Sequence, residues 1–96
     1  MKYEFEAQSY VMHEVIRAAM LVNKTTNHRV RVEYSGISDF CTVLIYKNGY
    51  EYGKMPTIQI SVDMNDERFM EETFNAVMDQ FQKLQATEKK EEAGDK

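Results

Sequence analysis

The apolar positions of this chain alternate between two spacings, and each change of spacing marks an element. From Ser9 to about Asn23, Val11, Met12, Val15, Ile16, Ala18, Ala19 and Val22 recur every three or four residues, which predicts a helix with one wide apolar face. Ser9 stands where an N-cap would stand, and Lys24-Thr25-Thr26-Asn27 supplies the stop. His28 to Tyr34 then alternates, with Val30, Val32 and Tyr34 on one side and Arg29, Arg31 and Glu33 on the other. After a turn at Ser35-Gly36-Ile37-Ser38, Phe40 to Tyr46 is apolar at nearly every position, as a central strand requires. Thr57 to Asp63 alternates again through Ile58, Ile60 and Val62. Asn65-Asp66-Glu67 opens a second helix with an Asx cap and acidic residues suited to the helix dipole. Met70, Phe74, Val77, Met78, Phe81 and Leu84 stripe that helix through about Ala86. Residues 2–6 alternate as well, with Tyr3 and Phe5 on one side. They predict either a short extra strand or the start of the first helix.

The segment between the second and third strands decides the register. Asn48-Gly49 alone predicts a tight type I′ hairpin. That pairing sets Pro56 opposite Cys41 in a central ladder, where proline has no N–H to give, and Ile58, Ile60 and Val62 overshoot their partner strand. A wide register leaves 47–56 as a loop and matches Ile45 with Ile58, Val43 with Ile60 and Cys41 with Val62. One continuous apolar face results, and the buried face governs register because a one-residue slip turns every side chain over. The expectation is an α+β fold, α-β-β-β-α, with a three-stranded antiparallel sheet (and a possible fourth short N-terminal strand) and two helices on one face. A single domain spans 1–86. The polar tail 87–96, apolar only at Ala93, is expected to be disordered.

Ninety-six residues suffice for one modest core. The net charge of −4, from 12 basic and 16 acidic residues, disfavours a duplex-DNA binder, which needs a clustered basic face. One cysteine, Cys41, forms no intramolecular disulfide and fits a reducing compartment. The longest wholly apolar stretch, Ala18 to Val22, is too short to cross a bilayer, and the first residues lack a signal-peptide core, so a cytoplasmic protein without membrane partners is expected. Compact chains without motifs are common on phages and other mobile elements.

The candidate chemistry is sparse. Cys41 falls on the core face of a central strand, where a small inert side chain is expected. His13 and His28 have no second ligand at metal spacing. The acidic residues 63, 66, 67, 71 and 72 cap a helix better than they hold a cation, and no phosphate-cradling loop or nucleophile elbow is present. The expectation is a non-enzymatic protein with no cofactor, metal or catalytic residue. The order α-β-β-β-α is shared with the double-stranded RNA-binding domain. That likeness ends at element order, because the second helix here opens on Asp66-Glu67-Arg68-Phe69-Met70-Glu71-Glu72 rather than on lysines.

Two surfaces remain. One is the tyrosine-bearing loop with Tyr46, Tyr50, Tyr52 and Met55. The other is the sheet face away from the helices, where Phe40, Leu44 and Tyr46 form an apolar strip beside Arg29 and Arg31. Tyrosine and arginine are the residues of protein hot spots. A protein partner, or a second copy in a homodimer, is the expected ligand. The alternative is a nucleic-acid-linked regulator, which either binds single strands by stacking on the tyrosines beside the arginines or mimics nucleic acid through the acidic start of the second helix.

Overall fold

A computed structural model of the chain describes the backbone of residues 2–94 and the side chains of residues 6–86. Its elements are α1 (Lys2–Thr25), β1 (Arg29–Ser35), β2 (Phe40–Tyr46), β3 (Ile58–Asp63) and α2 (Glu67–Gly94). The strands form one antiparallel sheet in the order β1-β2-β3. The α+β architecture and the α-β-β-β-α order are those the hydrophobic pattern predicts.

The β2–β3 register is the wide one. Ile45 pairs with Ile58, Val43 with Ile60 and Cys41 with Val62. On β1, Val30 pairs with Ile45, Val32 with Val43 and Tyr34 with Cys41. Cys41, Val43, Ile45 and Val62 are fully buried on this face. They meet Val11, Val15, Ala19 and Val22 of α1 and Met70, Val77, Phe81 and Leu84 of α2 in one cluster. α1 lies along β1, α2 along β3, and the helices touch each other. Tyr34 lies on the expected face, opposite Cys41, yet is 54% exposed: it stands on the edge strand, lines an open groove with Gln8 and Met12 of α1, and donates its hydroxyl to Asp39 Oδ1 at 2.6 Å.

The N-terminal pattern resolves as helix, which removes the fourth strand. Five alternating residues fit either period, and Ala7 and Gln8 decide between them. Ala7, one turn before Val11, extends the apolar stripe and packs on the core. Gln8 donates its amide Nε2–H to the Met64 carbonyl (2.6 Å) and to Asp39 Oδ2 (3.3 Å), tying α1 to the far end of the sheet. Ser9 is therefore inside α1 and not its cap. Whether Tyr3 and Phe5 shield the open sheet face concerns side chains outside the described residues; their backbone belongs to α1, on the opposite side.

The other boundaries follow local chemistry. Thr26 closes α1 with its N–H (3.0 Å) and its hydroxyl (2.8 Å) both donated to the Val22 carbonyl. Asp66 caps α2 by accepting the Phe69 N–H at Oδ1, 3.1 Å. The apolar stripe of α2 stops near Ala86, while helical backbone continues to Gly94. The side chains of the expected disordered tail lie outside the described residues.

The packing predicts a steep contrast between two apolar residues. Phe81 is 2% exposed at the centre of α2, and Phe81→Ala should cost about 3–5 kcal/mol in urea unfolding. Ile37, wholly exposed at the β1–β2 turn, should tolerate Ile37→Ser within about 0.5 kcal/mol.

Candidate functional site

The chain from Lys47 to Thr57 is an excursion held shut at its base. The Thr57 N–H donates to the Ile45 carbonyl (2.8 Å), and the Lys47 N–H to Thr57 Oγ1 (3.2 Å). Asn48 and Gly49 both take positive φ, 66° and 109°, which is why a pair tolerant of the left-handed region stands there. They turn the chain back over the end of α1 instead of into a tight hairpin. There the Asn48 N–H donates to His28 Nδ1 at 3.0 Å. His28 is 5% exposed. Accepting at Nδ1 leaves the ring proton on Nε2, which is buried with no partner among the described residues.

Further out, the Lys54 N–H closes a β-turn on the Glu51 carbonyl (2.9 Å), with Gly53 at φ 83° in the third position. The Lys54 ammonium reaches back and donates to the carbonyls of Lys47 (3.1 Å) and Gly49 (2.9 Å). Tyr50 meets Tyr46 edge-on, with ring centroids 4.9 Å apart and planes at 86°. These contacts order the loop without any apolar core of its own. Its far side carries Tyr52, 99% exposed, and Met55, 79% exposed.

The basic-aromatic group read from the sequence is divided. Arg29, Arg31, Tyr46 and Tyr50, with Asn23 and Val30, line a groove of about 360 Å³ at the β1 end of the sheet. Inside it the charges are already committed. Arg29 Nη1 donates to the carbonyls of Asn23 (3.1 Å), Thr26 (2.9 Å) and His28 (2.8 Å), so its guanidinium caps the C-terminus of α1. Arg31 pairs with Glu33 at 2.9 Å. Tyr46 is 6% exposed and acts as a support for Tyr50. Tyr52 and Met55 lie outside the groove lining. On the open sheet face, Leu44 lies between Arg31 and Gln59, and Phe40 between Ser35 and Asp63. Both are half-buried, so the strip is narrower than three unshielded large residues would make it.

Nothing in the hydrophobic pattern points to a groove of about 510 Å³ between the first half of α1 and the start of α2. Tyr10, Val11, Met70 and Phe74 line it beside Glu6, Glu67 and Glu71. Its signal is divided between two helices far apart in the chain, and the Tyr10–Phe74 contact (6.4 Å between rings) brings them together.

Among the described residues, no cluster of three or more His, Cys, Asp or Glu side chains is placed to hold a metal ion. Cys41 is fully buried, and burial pushes its thiol up to about 11. No helix among the described residues is long and apolar enough to cross a membrane. No protein-family model matches the chain, and no curated protein or solved structure matches it either.

Two measurements check this geometry. Cys41 should resist an aromatic disulfide reagent at pH 8 until the chain unfolds. Burial favours the neutral thiol, so its contribution to stability is complete below about pH 9 and is lost as pH rises towards 11. Relative to Cys41→Ala, the wild type should therefore lose about 2–3 kcal/mol across that interval. Lys54→Met should lower the NMR order parameters of residues 49–53 and leave the amides of β2 unchanged.

Proposed function

We propose that this chain is a non-enzymatic protein-binding module whose contact residues are Tyr52 and Met55 on the 47–57 loop. The observation that carries this reading is an exposed aromatic ring and an exposed thioether on a backbone already ordered by internal hydrogen bonds. A flexible loop would lose that freedom on binding; an ordered one does not, so more of the contact energy appears as affinity. Tyrosine suits the centre of an interface because it buries a large ring and keeps a hydroxyl for hydrogen bonding. Methionine adapts to an irregular partner surface. Tyr50 adds a half-exposed flank, and Tyr46 stiffens it from beneath.

Single-strand binding is the weaker alternative. It needs arginines free to meet phosphates, while Arg29 is engaged by three carbonyls and Arg31 by a carboxylate.

Affinity capture from the source cell, followed by titration of the captured partner, tests the proposal. A Tyr52→Ala/Met55→Ser variant should weaken binding by roughly thirtyfold or more. Ile37→Ser, equally exposed at the opposite end of the sheet, should bind as the wild type does. Equal binding by all three proteins would remove the loop from the interface.

A further inference from the structure

The sheet of the described residues has two edges, β1 and β3, and the β1 edge lies beside an exposed flank of α1. The Asn23 side chain fixes which backbone groups point outward there. Its Nδ2–H donates to the Val30 carbonyl (3.0 Å), and its Oδ1 accepts the Val30 N–H (2.8 Å). Val30 therefore directs both groups away from β2. By the alternation of an antiparallel ladder, so do Val32 and Tyr34. No partner for the outward N–H and C=O of Val32 or Tyr34 exists among the described residues. Arg29, Arg31 and Glu33 bond inward to β2; Arg31 and Glu33 direct their side chains to the open face, while that of Arg29 turns back to the carbonyls at the end of α1.

Above this edge, α1 presents an apolar flank. Met12, Ile16 and Met20 recur at four-residue spacing on the side of the helix that carries Asn23. Ile16 is 43% exposed and Met20 52% exposed. An unpaired strand edge beneath exposed apolar side chains is a surface that normally has a cover.

We propose that the cover is a second copy of this chain, with β1 pairing antiparallel to β1 of the partner about a two-fold axis through Val32. The charges select that register. With Val32 opposite the partner's Val32, Arg31 lies opposite the partner's Glu33 and Glu33 opposite the partner's Arg31, so the exposed Arg31–Glu33 pair of each strand joins its counterpart in one alternating cluster of charges. Both are non-hydrogen-bonded positions, where facing side chains are closest. Val30 then faces the partner's Tyr34 and exchanges its bonds to Asn23 for bonds to that strand. Moving the axis to Glu33 would set two like carboxylates against each other. A two-fold axis perpendicular to the sheet keeps all four helices on one face and brings the two α1 flanks together, Ile16 and Met20 against their counterparts. The interface is isologous, as a closed dimer requires. It leaves Tyr52 and Met55 exposed and is independent of the loop reading.

Sedimentation of the full chain over a concentration series, with charge-reversed variants, tests the proposal. Arg31 and Glu33 are exposed, so their substitution spares the core. The wild type should dimerise. R31E and E33R should each weaken dimerisation by about tenfold or more, since each sets like charges opposite one another twice. An equimolar mixture of the two single variants should form a heterodimer. One chain then carries carboxylates at both positions 31 and 33, the other carries guanidinium groups at both, and every facing pair is of opposite charge. The R31E/E33R double variant should also dimerise. In the wild-type dimer, hydrogen exchange at the Val32 and Tyr34 amides should be slowed relative to the R31E monomer. A wild type monomeric throughout the series overturns the proposal. Variants that dimerise as tightly as the wild type, or a mixture that stays monomeric, overturn the register.

Discussion

The fold depends on one constraint, that β2 must bury Cys41, Val43 and Ile45 on the side the helices cover. Each strand beside it has a single alternate set of residues able to continue that face, Val30 and Val32 on β1 and Ile58, Ile60 and Val62 on β3. Once those sets align, strand order, helix placement and the length of every connection follow. The 47–57 excursion is a result of this alignment. The hydrophobic match needs Ile58 beside Ile45, and the residues between them have to be accommodated beyond the sheet.

The features decided by pattern were legible in the sequence. The wide register could be read because Pro56 and the overshoot of Ile58, Ile60 and Val62 both counted against the tight hairpin, although Asn48-Gly49 by itself favours one. Residues 2–6 could not be resolved, because five alternating residues satisfy both periods. What settles them is Gln8 reaching Met64, a contact between residues 56 positions apart. The boundary of α1 is thus a tertiary result and not a local one.

The candidate site was legible only in part, for a related reason. Composition marks a residue as exposed or buried but does not show which polar groups are already satisfied. Arg29 and Arg31 look like ligands for an anion in the sequence, yet carbonyls and a carboxylate occupy them in the fold. Tyr46 falls on the open face by parity and is nonetheless buried, because Tyr50 folds back onto it. Asn23 reads as the last residue of a helix and proves to be a side chain standing in for a strand. Apart from the Glu33 carboxylate at Arg31, the deciding partner in each case is a backbone atom or a ring contributed by a turn, which no periodicity reports.

The tie between the Lys54 ammonium and two loop carbonyls has a consequence for how such a chain can diverge. The excursion is closed by Thr57 on Ile45 and braced by Lys54, so neither the sheet nor the core depends on the identity of Glu51, Tyr52 or Met55. Natural selection can change those tip residues without altering the packing underneath. A lineage under pressure to follow a changing partner could retain the scaffold and the brace while the tip drifts freely. Similarity between descendants would then persist in the buried alternation of β2 and in the lysine of the loop, and would fade first at the contact residues themselves.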